Sequence, residues 1–237
     1  MKKTISLTID IEHDCPPYLK TYRGIEKGLP GLCSVLDGFD VKATFFVTGD
    51  VASKYPGEIK EIAKRHEIGC HGYSHKRFDR MTLAEAAHEI EKSTGILCRL
   101  TGKEKLDSFR APNLIFPERF LCLLKDNGYS IDSSIAKYKP GWTLRKTGSN
   151  INILRVPVSA TSSLLRFPFG DQLIRHLSHP VVLFFHPWEF VGMQREPIRW
   201  DCKINTGAKA LSNIEALIKT FKSNNYRFCT ISDFLDL

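Results

Sequence analysis

The sequence predicts an α/β fold that closes as a barrel of seven or eight βα units, and three observations lead there. Short apolar runs alternate with segments of helical periodicity along nearly all of the 237 residues. No Ser/Gly tract, internal repeat or block of like charge divides the chain, so 1–237 reads as a single domain. The ionisable residues that follow successive strands gather at the strands' C-terminal ends, where barrels of this class collect their chemistry.

Strands are expected from Thr4 to Ile9, Ala43 to Val47, Ile68 to Cys70, Ser108 to Phe109, Tyr129 to Ile131, Val181 to Phe185 and Arg227 to Thr230, each an apolar run ended by turn or polar residues. Helices are expected between them, from Pro56 to Arg65, Leu83 to Leu100, Pro117 to Asn127 and Leu211 to Ser223. The second of these is opened by Thr82 with Glu85 three residues on, the spacing of a capping box. From Lys137 to Gly170 the rhythm breaks. Pro140, Gly141, Gly148, Pro157 and Pro168 surround a β-like run from Asn152 to Val158, which reads as an inserted hairpin or loop layer.

Composition removes several function classes. With 42% hydrophobic and 25% charged residues the chain is globular, and 16 Gly with 12 Pro exclude a collagen-like or low-complexity chain. No run approaches the roughly 18 to 20 apolar residues of a bilayer span. Met1-Lys2-Lys3 is followed too soon by Asp10, Glu12 and Asp14 for a signal peptide, so a cytoplasmic location is expected, with at most peripheral membrane contact. Cysteines 15, 33, 70, 98, 122, 202 and 229 form no Cys-x-x-Cys pair and predict neither a disulfide framework nor a thiolate zinc site. The net charge of +8 favours phosphate-bearing or membrane-surface partners, while dispersed basic residues and the lack of a recognition motif argue against nucleic acid.

The residues at the strand ends carry the chemistry. Asp10, Glu12, His13 and Asp14 follow the first strand, His71 and His75 the third, Arg110 the fourth, Asp132 the fifth and His186 the strand from Val181. His71 and His75 stand at i and i+4, a spacing that suits a divalent metal but needs a carboxylate from elsewhere. Asp10 and Glu12, two apart on an extended strand, point to one face, so that one can bind metal while the other accepts a proton.

The order of these motifs resembles the polysaccharide deacetylases, the NodB-homology domains of carbohydrate esterase family 4. The resemblance rests on Thr8-Ile-Asp10-Ile-Glu12, on Glu67-Ile-Gly-Cys-His71-Gly-Tyr-Ser-His75, on Arg110-Ala-Pro112-Asn113, on Ile131-Asp132-Ser-Ser134 and on Leu183-Phe-Phe-His186-Pro-Trp188-Glu189. Leu124-Lys-Asp-Asn-Gly-Tyr129 adds to it, and the motifs span almost the whole chain. Two departures stand out: Asp-x-Glu where the family has adjacent aspartates, and Asn113-Leu114 where many members have Tyr-Gly. The Asp-x-acid spacing and the His-Pro-Trp-Glu ending resemble the branch linked to exopolysaccharide and glycolipid loci.

The resemblance implies an irregular (β/α) barrel of about seven units and a metal-dependent N-deacetylation. It makes Glu12, His71 and His75 the ligands of a divalent metal, zinc first with cobalt or nickel as alternatives, and Asp14 the substitute carboxylate. It makes Asp10 the base, Arg110 the cation beside it, the N–H of Asn113 an oxyanion donor, and His186 the acid, with Asp132 on its other ring nitrogen. Trp188 reads as packing, with a sugar platform as its alternative role. The implied partner is an N-acetylated sugar, and the charge suggests a phosphate- or lipid-linked form of it. A deformylase or amidase of the same fold and a silent carbohydrate-binding module are the competing readings.

Overall fold

In the computed structural model, which describes residues 3–138, 152–167, 170, 174 and 176–236, the chain packs as two compact units. One comprises Met1–Ala43 and Ser159–Cys229, the other Thr44–Val158 and Thr230–Leu237.

The first unit is built on strand β1 (Thr4–Ile11), whose eight residues are all buried. Ile5, Leu7, Ile9 and Ile11 cover one face, and Thr4, Ser6, Thr8 and Asp10 the other. A strand that alternates apolar and polar residues is ordinarily half exposed, but here both faces are covered, as in the central strands of parallel sheets. Strand β8 (Val181–Phe185) runs parallel to it, in register from Ile5↔Val181 to Ile9↔Phe185. The Thr8 hydroxyl donates to the Leu183 carbonyl at 2.9 Å, which satisfies a polar group on the buried face. Strand β9 (Arg227–Phe228) pairs with β1 and strand β7 (Ala160–Thr161) with β8, both parallel. Two helices supply apolar stripes: Leu29–Gly38 through Leu29, Leu32 and Leu36, and Ala208–Ser223 through Ala210, Ile214, Leu217, Ile218 and Phe221.

Two glycines in this unit are dictated by close approach. A Cβ on Gly24 falls 2.3 Å from the backbone nitrogen of Trp188, and one on Gly28 falls 2.2 Å from the carbonyl oxygen of Pro187. The turn Gly24–Gly28 therefore lies backbone to backbone against the segment that follows β8.

The second unit is a run of parallel pairs, β2 (Thr44–Val47) with β3 (Glu67–Cys70), β3 with β4 (Ser108–Phe109), β4 with β5 (Ile131–Asp132), and β5 with β6 (Leu154–Arg155). Its core is aromatic: Phe78 meets Phe109 and Phe116 edge-on, with ring centroids 5.6 and 5.2 Å apart. Helix Leu83–Thr101 is the longest among the described residues. Thr82 and Glu85 form the expected capping box at its start, and Gly102, at φ 69°, ends it in the left-handed conformation.

The strands at Ser108–Phe109 and Val181–Phe185 have the expected bounds, and the others lie within two residues of theirs. The helix expected from Pro117 to Asn127 divides into a 3-10 turn, Glu118–Phe120, and an α-helix, Leu121–Asp126. The inserted hairpin is corrected. Leu154–Arg155 and Ala160–Thr161 are parallel additions to β5 and β8 respectively, not partners of each other. Pro140, Gly141, Gly148 and Pro168 lie outside the described residues. Every described cysteine is a free thiol, and no helix among the described residues is long and apolar enough to cross a membrane.

The glycine geometry gives opposite expectations for two substitutions. Gly28→Ala has to push backbone aside and is expected to cost about 1–3 kcal/mol, the range for overpacked sites. Gly57→Ala, in helix Pro56–Ala63 with nothing within 4 Å of the added carbon, is expected to add up to about 1 kcal/mol. Urea unfolding of the two variants checks the pair; a Gly28→Ala midpoint equal to that of the unchanged protein contradicts the close approach.

Candidate active site

In the first unit the residues of interest follow β1 and β8. Asp10 and Glu12 are buried at 3% and 4% exposure. His186 comes one residue past Phe185, the partner of Ile9, so the register sets it level with Asp10. Its Nε2 lies 3.7 Å from Glu12 Oε1, beyond hydrogen-bond range. Its Nδ1 is 2.8 Å from Glu189 Oε1 and donates to it, because an ionised carboxylate only accepts. The same oxygen receives the His186 backbone N–H at 3.0 Å. Glu189 Oε2 in turn forms an ion pair with Arg166 Nε at 3.0 Å, both side chains being almost fully buried.

Burial alone lowers the pKa of the imidazole. The Glu189 hydrogen bond and the charges of Glu12, Glu189 and Asp10 outweigh it, and His186 is raised to about 9. This favours the imidazolium, the form a general acid needs.

Trp188 is buried, and its indole stacks on the His186 ring with centroids 5.2 Å apart and planes 22° apart. Its other neighbours, Cys15, Met193 and Ile198, are core residues. It is a packing residue and presents no exposed platform for a sugar. Asp14 is likewise removed from the metal-ligand candidates. Its Oδ1 accepts the Gly24 N–H at 2.9 Å, and its Oδ2 accepts the Arg23 N–H at 2.8 Å and the Thr21 hydroxyl at 2.7 Å. The carboxylate ties down the turn that packs on residues 187 and 188.

In the second unit the histidine pair follows β3. Their ring centroids are 5.4 Å apart. His71 is buried, and its Nδ1 donates to the Arg110 backbone carbonyl at 2.7 Å, which fixes the tautomer and leaves a lone pair on Nε2. The turn is left-handed at two residues, Gly72 at φ 74°, where glycine carries no steric cost, and His75 at φ 57°. Glu89, on the buried face of helix Leu83–Thr101, holds that turn. It accepts the Tyr73 and Ser74 N–H groups at 3.0 and 2.8 Å and the Ser74 hydroxyl at 2.6 Å.

Arg110 follows β4 and is fully buried. Its guanidinium lies over Phe46, 4.2 Å from the ring centroid, and donates to Ser133 Oγ at 3.0 Å. Asn113 is exposed at φ 61°, followed by Leu114 at φ 52°. Asp132 ends β5 instead of following it. Its Oδ1 accepts the Ser134 N–H at 3.0 Å, and its Oδ2 pairs with Arg155 at 2.9 Å. The Nδ1 partnership expected of Asp132 thus belongs to Glu189, and Asp132 is committed to Arg155.

Three residues that hold the site were missed in the sequence. Glu189 stands three residues after His186 with Pro187 between, a capping spacing that was legible. Glu89 occupies a core-facing helical position, the signal of a buried charge with a task. Arg166 carries no sequence signal, since only the folded chain brings it to Glu189.

A sequence profile described as polysaccharide deacetylase matches residues 1–131, more than half of the chain. The peptidoglycan-N-acetylglucosamine deacetylase of Bacillus cereus is 40% identical over 74 residues, covering 31% of this chain and 27% of that one. The chain spans less than half the length of the curated relatives it matches. Among solved structures, a Mycobacterium smegmatis protein assigned as a polysaccharide deacetylase is 19% identical with a TM-score of 0.76, covering 99% of this chain and 89% of that one. A carbohydrate esterase family 4 pseudoenzyme from Bacillus anthracis is 18% identical with a TM-score of 0.68, covering 99% of this chain and 66% of that one. The likeness shows the fold, the NodB-type α/β barrel fold that the motifs imply, and the pseudoenzyme among its holders leaves activity to be argued from side chains. By its profile match and its fold, the chain belongs to the polysaccharide deacetylase family.

Proposed function

We propose that the chain is a divalent-metal-dependent hydrolase that removes the N-acetyl group from an amino sugar, with Glu12, His71 and His75 as the metal ligands. The observation that carries this reading is the imidazole pair after β3, its rings 5.4 Å apart and the His71 Nδ1 committed to a backbone carbonyl so that Nε2 is the ligating atom. The donor set fits the group. Two imidazoles and one carboxylate suit zinc, with cobalt or nickel next, and three protein ligands leave coordination open for water and substrate.

When bound, the ion polarises the acetamide carbonyl and lowers the pKa of water at the site. Asp10 takes the proton from the attacking water, and Arg110 is the cation assigned to it. The backbone N–H of Asn113 faces the developing oxyanion. His186 gives its Nε2 proton to the leaving amine. Family membership and the name of the Bacillus cereus relative support an N-acetylated sugar as substrate, and the net charge of +8 favours a phosphate-linked form of it.

Metal content tests the ligand assignment. The unchanged protein, reconstituted with zinc, cobalt or nickel and desalted, should hold one ion per chain by elemental analysis, and His71→Ala or His75→Ala should strip it while the far-UV spectrum stays the same. A metal-free unchanged protein overturns the assignment. Acetate release from a chitooligosaccharide tests the reaction; formate release from an N-formyl sugar in its place points to a deformylase, and no turnover with metal bound points to a binding module.

The two acids should fail differently. Asp10→Asn is expected to keep the metal and lose turnover by at least about 10²-fold, the scale of a positioned base. Glu12→Gln should lose the metal itself. The reverse pattern in a paired metal and rate measurement exchanges their roles.

A further inference from the structure

We propose that Glu189, fixed by Arg166, is the positioning carboxylate of His186, in the place that the family resemblance gives to Asp132. The proposal rests on the reading of His186 as the general acid.

The imidazole is held on several sides at once. Its Nδ1 donates to Glu189 at 2.8 Å, one face stacks on Trp188 at 5.2 Å, and Phe184 meets it edge-on at 5.3 Å. Nε2 makes no hydrogen bond with Glu12 at 3.7 Å and is the nitrogen left to meet substrate. Glu189 is also fixed in place. Its Oε1 binds both the backbone N–H and the ring of His186, and its Oε2 is ion-paired with Arg166. Arg166 is locked in turn by the backbone carbonyl of Ile204, which accepts from its Nη1 at 2.8 Å, and its guanidinium lies 5.8 Å from the Trp188 ring. A buried carboxylate that is paired with Arg166 and takes two hydrogen bonds from His186 is more than a cap for a four-residue turn, since a cap requires only the backbone contact.

The chemical consequence is the placement of one proton. With Nδ1–H held by Glu189, the proton on Nε2 is the one transferred. As the C–N bond of the tetrahedral intermediate breaks and its electron pair stays on nitrogen, that proton passes from Nε2 to the nitrogen, which leaves as the amine. The carbonyl of acetate re-forms, and the imidazole is left neutral with Nδ1–H still on Glu189. Asp132 has partners of its own, the Ser134 N–H on Oδ1 and Arg155 on Oδ2.

Glu189→Gln, Asp132→Asn and Arg166→Lys in the zinc-loaded protein provide the test, with N-acetylchitooligosaccharide and 4-nitrophenyl acetate as substrates. Glu189→Gln is expected to lower kcat on the sugar by about 10- to 100-fold with KM and zinc content unchanged, and to lose less than about threefold on the ester, whose leaving group needs little protonation. Arg166→Lys, which keeps a cation beside Glu189, should lose less on the sugar than Glu189→Gln does. Asp132→Asn should show no difference between the two substrates. An independent readout is the Nδ1 proton resonance of His186 in the metal-free protein, expected to move upfield in Glu189→Gln and to stay in Asp132→Asn. Equal losses of Glu189→Gln on both substrates, or an Nδ1 resonance that moves with Asp132 and not with Glu189, overturn the proposal. If the unchanged protein turns over neither substrate, the reading of the reaction fails, and the resonance still decides which carboxylate holds the ring.

Discussion

The cost of burying charge organises both halves of this protein. Removing a carboxylate from water costs on the order of several kcal/mol unless cations and N–H donors replace the lost hydration. Glu189 meets that requirement with Arg166 and His186, Asp132 with Arg155 and the Ser134 N–H, and Asp14 with two backbone N–H groups and the Thr21 hydroxyl. Glu67 accepts the Thr44 and Ser108 hydroxyls at 2.6 Å each and so ties β2, β3 and β4 together. Glu89 takes the N–H groups of the histidine turn. The N–H and O–H donors in these arrangements work only at hydrogen-bond distance, so each ties its carboxylate to a neighbouring segment.

The strands and the motif residues were legible because their signals are local. Ser108–Phe109 and Val181–Phe185 are short apolar runs with polar ends, and helix Leu83–Thr101 announces itself through its capping box. Helix Leu29–Gly38 gave no such signal. It contains Pro30, Gly31 and Gly38 and forms because Leu29, Leu32 and Leu36 bury one face, which is tertiary packing overriding weak propensity. The two-residue strands β6 and β7 are too short to show a period, and what defines them is their parallel partners, β5 and β8. The same division runs through the site. His71, His75 and His186 stand out by spacing and strand-end position, whereas Arg166 becomes a site residue only when the chain folds it against Glu189.

The departure at Asn113 and Leu114 shows how a sequence change can be absorbed at a site. Both residues are left-handed, at φ 61° and φ 52°, in a turn where the family resemblance places Tyr-Gly. Asn tolerates this conformation; Leu, with a branched side chain and a Cβ, adopts it at a cost of roughly 1–2 kcal/mol. The turn is nonetheless pinned at both ends, by the Leu114 N–H on the Ala111 carbonyl at 3.1 Å and by the Ala111 N–H on Ser134 Oγ at 2.7 Å. Leu114 is 7% exposed, so its side chain gains burial that glycine could not. That gain offsets the backbone strain at Leu114.

A fold shared with a pseudoenzyme places the evidence for catalysis in details that a packing role does not require. A core histidine needs a hydrogen-bond partner but no particular tautomer, and a surface histidine needs neither. His71 has one nitrogen bonded to a backbone carbonyl and a second imidazole beside it, and His186 has one nitrogen on a buried carboxylate and a protonation state supported by three acids. The two imidazoles are prepared in opposite senses. His71 is oriented by its Nδ1 bond to a backbone carbonyl, with Nε2 on the other side of the ring, and His186 is held cationic, with a proton to offer. An enzyme that must gather an electrophile at one place and release an amine at another needs both, and the environments that separate them are the buried backbone carbonyl of Arg110 in one unit and the Glu189–Arg166 pair in the other.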